Sequence, residues 1–236
     1  MPVAIKLRCL FRPLAFRIIH PFLLYSNRKS RRTKIGALTL RSHPLVFHPG
    51  YHFTSKILAD YITSLELSNR RVLDMGTGSG IISITAAMRG AEVTAIDINH
   101  QAAMLAAHNA RENKVEGKMR VLCGDLFNAL SPAPIFDWII FNPPFFPQPA
   151  THALELAFNA GKNYEVISRF MNHAANFLSP EGRILFILSS DMNLQEINRL
   201  IEQANFKIVR CDMKPHIFEV FYLLQLKPIA SLSYNI

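Results

Sequence analysis

Arg71-Val72-Leu73-Asp74-Met75 runs straight into Gly76-Thr77-Gly78-Ser79-Gly80, and an apolar stretch to Met88 follows at once. Three glycines in five residues let a backbone turn tightly and come close to a bound group, so the pattern reads as a strand, a ligand-approaching loop and a helix from about Gly80 to Met88. The alternation then repeats. Glu92–Asp97 reads as a second strand and Ala102–Asn113 as a helix; Arg120–Cys123 and Trp138–Phe141 are third and fourth strands, Tyr164–Phe177 is helical and Arg183–Ser189 is a fifth strand. Leu194–Ala204 adds a helix, and two β runs close the chain, Lys207–Cys211 and Phe218–Leu226. Strands and helices alternating at this spacing predict an α/β fold. It has a single doubly wound, mostly parallel sheet covered on both faces, with an antiparallel hairpin at its C-terminal edge.

Length agrees with one such unit, since 236 residues bury one substantial core. The charge is unevenly placed. Residues 1–41 hold ten of the 26 bases and none of the 17 acids, which leaves sixteen against seventeen in the rest. A basic extension at 1–41 ahead of a near-neutral domain at 42–236 is therefore expected, and a body whose whole surface tracks nucleic acid is not. At helical spacing Val3, Leu7, Leu10, Phe11, Leu14 and Ile18 share a face, with Pro13 interrupting it, and Lys6, Arg8, Arg12 and Arg17 break every run long enough to span a bilayer. The cluster Arg28 to Lys34 reads as a solvated basic hinge. Such an extension suits an anionic membrane surface, an RNA contact or a mitochondrial targeting peptide. Cys9, Cys123 and Cys211 form no CxxC pair and suit a reducing, cytoplasmic setting. Pro49 and Gly50 between His48 and His52 argue against a helical metal face, so no metal is expected.

In a parallel sheet, ligands bind beyond the carboxyl ends of the strands, so the residues that end each strand carry the chemistry. The first ends at Asp74 and the loop with Gly76 and Gly78. Its G-x-G-x-G spacing departs from the G-x-G-x-x-G of nicotinamide-binding proteins, and the strand-end Asp favours a cofactor bearing an amino acid over a pyrophosphate. The second ends at Asp97, whose carboxylate suits two ribose hydroxyls or, on the structural side, a helix cap. The third leads to Gly124-Asp125-Leu126, where Asp125 suits an exocyclic amine and Leu126 a ring, or where the pair simply forms a turn. The fourth ends at Asn142-Pro143-Pro144-Phe145. Two prolines fix φ and donate no hydrogen bond. The Asn142 side-chain oxygen and the Pro143 carbonyl are thus available to a ligand N–H, with Phe145 beside it.

The series from Val72 to Phe145 resembles the class I S-adenosylmethionine-dependent methyltransferases, and the Asn-Pro-Pro-aromatic tetrad resembles their amino-methylating branch. That branch holds the HemK-type protein-glutamine methyltransferases, the small-domain rRNA methyltransferases and the N6-adenine methyltransferases. The likeness spans roughly residues 44–227. Asn159 to Ile167 is similar to the turn and helix that follow the tetrad in HemK-type enzymes. Those enzymes usually carry Tyr where Phe145 stands, however, and the rRNA enzymes often carry Phe. The segment Val46 to Thr54 resembles the family's entry loop with a different spacing. The resemblance implies S-adenosylmethionine as cofactor, with Asp74, Gly76 and Gly78 on its methionine part, Asp97 on the ribose, and Asp125 and Leu126 at the adenine. It implies that Asn142, Pro143 and Phe145 orient the acceptor nitrogen.

The expected reaction is methyl transfer to a planar nitrogen, foremost a protein glutamine amide and alternatively a base's exocyclic amine in rRNA or tRNA. A non-catalytic binding subunit of the same fold and a nicotinamide-dependent oxidoreductase are the competing classes. Retention of both the cofactor Asp and the tetrad weighs against the first, and the glycine spacing against the second.

Overall fold

The computed structural model describes residues 30–46, 53–133, 135–150, 155–216 and 219–229. A small antiparallel hairpin, β1 (Arg32–Ile35) and β2 (Leu38–Arg41), comes first, followed by helix α1 (Phe53–Ile62). The body then runs β3 (Arg71–Met75), α2 (Ile81–Met88), β4 (Glu92–Asp97), α3 (His100–Glu112), β5 (Met119–Cys123), β6 (Phe136–Phe141), α4 (Glu165–Ala174), β7 (Leu178–Ser189), α5 (Leu194–Gln203), β8 (Phe206–Pro215) and β9 (Val220–Pro228).

Seven strands form one sheet in the order β5-β4-β3-β6-β7-β9-β8. The first five are parallel, and β9 runs antiparallel to both β7 and β8. The expected C-terminal hairpin is present, but its second strand inserts between β7 and β8, so β8 is the edge. Because side chains alternate along a strand, each strand feeds two cores. Val72, Ile140, Leu185 and Ile187 face the side covered by α1, α2 and α3. Leu73, Ile139, Ile184 and Phe186 face the side covered by α4 and α5. Asp74 is one residue beyond Leu73 and so points to the same side as Val72.

Two sequence expectations need correction. Arg32 to Lys34 belong to β1 and are not a solvated hinge. The hairpin buries Leu38 and Leu40 in the core, and Glu112 of α3 lies 3.5 Å from both Arg32 and Arg41. An alternating pattern as short as Thr33, Ile35, Leu38 and Leu40 is masked in the sequence by the bases around it. Strand β7 also begins five residues before Arg183, at Leu178, because Leu178 pairs with Phe136 ahead of an irregularity in the β6–β7 register. The expected amphipathic face from Val3 to Ile18 and the pair His48 and His52 lie outside the described residues.

Candidate active site

Strand order reverses at β3, with β4 on one side and β6 on the other, and the loops leaving these strands part to form a crevice. A cavity of about 250 Å³ opens there. Of the residues named from sequence, Gly76, Gly78, Asp97, Asp125, Leu126, Asn142, Pro143 and Phe145 all line it, and Asp74 does not. Eight residues from four strand ends thus converge, because parallel strands deliver all their carboxyl ends to one edge.

The glycine loop is held by backbone. Gly76 and Thr77 both donate to the Ile96 carbonyl, at 2.8 and 3.0 Å, which ties the loop to β4. Gly76 and Gly78 have φ of 72° and 56°, where a side chain is strained, and a Cβ at Gly80 would meet Ala106 of α3 at 3.2 Å. Asp97 braces the loop from the side: one carboxylate oxygen accepts from the Gly78 N–H at 2.8 Å and the other from the Asn99 N–H at 2.9 Å. Burial raises its pKa and the two backbone donors lower it again, with burial the larger effect.

Asp74 lies fully buried beneath the loop. Its Oδ2 accepts from the hydroxyls of Thr77 at 2.8 Å and Ser83 at 2.5 Å, while its Oδ1 is buried with no partner among the described residues. Burial pushes its pKa up to about 6 against the lowering effect of the two hydroxyls. The bare backbone at Gly76 and Gly78 and the Asp97 carboxylate on the cavity wall fit a ligand bearing an amino-acid end and a ribose, with Asp74 bracing the loop from behind through Thr77. These residues therefore suit S-adenosylmethionine.

Asp125 sits where β5 ends and Leu126, at φ 50°, turns the chain. The Asp125 carboxylate accepts from Arg169 of α4 at 2.5 Å, and Arg169 also lines the cavity. On the opposite wall the tetrad meets α1. Asn142 donates through Nδ2 to the hydroxyls of Thr54 at 3.2 Å and Ser55 at 3.1 Å. Among the described residues no hydrogen bond reaches Asn142 Oδ1 or the Pro143 carbonyl, and both residues line the cavity. Phe145 is half-buried and touches both cores, and its ring lies 6.5 Å from that of Phe221. Behind the tetrad, Phe146 and Asn159 form a bridge and Ala160 donates to the Phe146 carbonyl, so the stretch from Asn159 onward straps the tetrad in place. Ser55 and Arg169 went unread in the sequence. Each lies in a helix and meets its partner from 87 and 44 residues away, so no local spacing marks it. Among the described residues no cluster of three or more His, Cys, Asp or Glu could hold a metal ion.

Residues 37–221 match the family model described as the methyltransferase small domain. The chain is 32% identical over 181 residues to a protein of Methanocaldococcus jannaschii named "Putative protein N5-glutamine methyltransferase", covering 74% of this chain and 88% of that one. It is 28% identical to a tRNA1(Val) (adenine(37)-N6)-methyltransferase of Pedobacter heparinus, covering 70% and 69% of the two chains. The fold is similar to the crystal structure of a ribosomal protein L11 methylase from Lactobacillus delbrueckii subsp. bulgaricus, at TM-score 0.59 and 21% identity over 76% of this chain and 82% of that one. With its glycine loop, strand-end carboxylates and tetrad gathered on one cavity, the chain belongs to the methyltransferase small domain family, within the class I S-adenosylmethionine-dependent methyltransferases.

Proposed function

We propose that this S-adenosylmethionine-dependent N-methyltransferase acts on the side-chain amide of a protein glutamine. Bound S-adenosylmethionine supplies a methyl group on a positively charged sulfonium that is already a strong electrophile. Gly76 and Gly78 would hold its methionine part, on a loop that Asp74 braces from beneath through Thr77, Asp97 would hold its ribose, and Asp125 and Leu126 its adenine. The protein's remaining task is to align a weakly nucleophilic planar nitrogen, whose lone pair is delocalised into a carbonyl.

The observation that carries the reading is the state of Asn142. Thr54 and Ser55 occupy its amide nitrogen, which leaves its oxygen for an incoming N–H, and Pro143, whose carbonyl can only accept, lines the same cavity. An NH2 group with two protons is the complement of two such acceptors. As those protons are drawn toward the oxygens, electron density shifts onto the nitrogen, and Phe145 supports the plane. No general base of the His or Glu kind is needed, because the proton leaves an N-methylated cationic centre that is strongly acidic. Similarity over most of the length of the archaeal relative supports a glutamine amide. A base's exocyclic amine is the second reading, favoured by Phe145 and by the tRNA-modifying relative.

The test is labelling of a lysate from cells that lack the protein, using the purified enzyme and tritiated S-adenosylmethionine. Protease-sensitive label that yields N5-methylglutamine on exhaustive enzymatic digestion, and tritiated methylamine on acid hydrolysis, supports the amide reading. Nuclease-sensitive label transfers the assignment to the base.

For residues 1–41 the proposal is an anionic membrane contact, supported by the apolar face from Val3 to Ile18 and the surrounding bases. No described helix is long and apolar enough to cross a membrane.

A further inference from the structure

Asn109 is fully buried in α3, and every polar atom of its side chain is engaged. Its Oδ1 accepts from the Arg41 N–H at 2.8 Å, which fixes the orientation of the amide. Its Nδ2 donates to the Arg41 carbonyl at 3.1 Å and to the Ser79 carbonyl at 2.8 Å. One turn later Asn113 treats Thr39 in the same way, accepting from its N–H at 3.0 Å and donating to its carbonyl at 2.7 Å. Four residues of helix advance by about 6 Å and two of strand by about 6.6 Å. The two amides therefore stand in for a neighbouring strand along the outer edge of β2. They differ in one contact. The remaining Asn113 donor stays within α3, on the Asn109 carbonyl at 2.7 Å, whereas that of Asn109 reaches Ser79 in the glycine loop.

We propose that Asn109 is a positioning residue for the cofactor, tying the N-terminal hairpin to the loop that receives it. Ser79 lies between Gly78 and Gly80, and with Gly76 the loop contains three glycines at positive φ. Such a backbone loses much conformational freedom when it is ordered, so a loop already held in its receptive shape loses less on binding. Asn109 supplies that hold from two directions, the hairpin on one side and the loop on the other, and neither Arg41 nor Ser79 contributes through its own side chain. The inference rests on the glycine loop being the S-adenosylmethionine site.

Calorimetry with S-adenosylhomocysteine on the full chain, comparing wild type, Asn109→Ala and Asn113→Ala, tests it. Both variants lose a pair of hydrogen bonds to β2 and should lower the unfolding temperature. Only Asn109→Ala should weaken S-adenosylhomocysteine, by about tenfold, while Asn113→Ala stays within about twofold of wild type. Ligand binding should also slow hydrogen exchange at the Thr39 amide in wild type and fail to do so in Asn109→Ala, a coupling that a purely stabilising residue would not produce. Should Asn109→Ala not fold, Asn109→Gln, which keeps an amide at the wrong reach, takes its place. Equal affinities in the two variants, or unaltered affinity in Asn109→Ala, would overturn the positioning role. Absence of binding in wild type would instead overturn the cofactor reading on which it rests.

Discussion

Asp97 holds Gly78 and Asn99 by their backbone N–H groups and still presents carboxylate lone pairs to the cavity. Removing it takes away both a brace and the proposed acceptor for ribose hydroxyls. Charge-assisted hydrogen bonds contribute on the order of 1.5–3 kcal/mol each, so Asp97→Ala should weaken S-adenosylhomocysteine by at least about tenfold in calorimetry. Unchanged affinity with an intact fold would remove Asp97 from the ribose. Asp74 makes a prediction about pH. Its pKa is pushed up from 3.8 to about 6, so its protonated form favours the folded state. The stabilisation is fully present below about pH 4 and is lost as pH rises through about 6, an effect on the order of 3 kcal/mol. Without ligand, thermal unfolding of wild type should lose ground to that of Asp74→Asn between those pH values; parallel pH profiles would show that Asp74 does not titrate there. Asn142→Ala should leave cofactor affinity near wild type and cut methyl transfer by roughly two orders of magnitude through lost alignment. Near-normal turnover would reduce the tetrad to a proline turn.

At the level of elements, the acceptor side of the cavity depends on α1, whose first turn carries Thr54 and Ser55. The far end of that helix is anchored by a buried polar chain. The Tyr61 hydroxyl donates to Asp212 at 2.7 Å and accepts from Gln225 Nε2 at 3.1 Å, and Gln225 Oε1 accepts from Arg183 at 3.0 Å. Asp212 keeps Arg210 at 2.6 Å if Tyr61 is lost, but Gln225 is only 3% exposed and would be left with an unpaired N–H. Tyr61→Phe should therefore cost about 1–2 kcal/mol in denaturant unfolding, the penalty of one buried unsatisfied donor. A cost near zero would mean that water reaches Gln225. The helices on the other face show the same division of labour. Phe170 and Ile167 of α4 bury in the core, while Arg169 on the same helix reaches Asp125. Packing thus sets where the guanidinium lies.

Across the whole molecule, the bases of residues 1–41 divide into two groups. Arg32 and Arg41 share Glu112 in the hairpin, whereas the six bases before residue 30 belong to the segment read as an interfacial anchor. Deletion of 1–29 keeps the hairpin and removes that segment. Each base near an anionic surface contributes about 1 kcal/mol, so the full chain should sediment with anionic vesicles and not neutral ones, and the truncated chain with neither. A full chain that ignores anionic vesicles but binds RNA with steep salt dependence would move the reading to RNA. The sequence alone determined the parallel sheet and the tetrad, glycine-loop and carboxylate residues at its strand ends. A β run and the residue that ends it are contiguous, and parallel pairing sends all such ends to one edge. Tertiary structure decided what those residues meet: that Asp74 lies under the loop and off the cavity, and that Thr54 and Ser55 engage the Asn142 amide nitrogen. It also decided that Arg169 holds Asp125, and that Asn109 joins the hairpin to Ser79. These partners are 30 to 88 residues apart except within the loop itself, and contacts at that separation leave no periodicity in the chain. They exist only once the two cores have packed and brought the elements together.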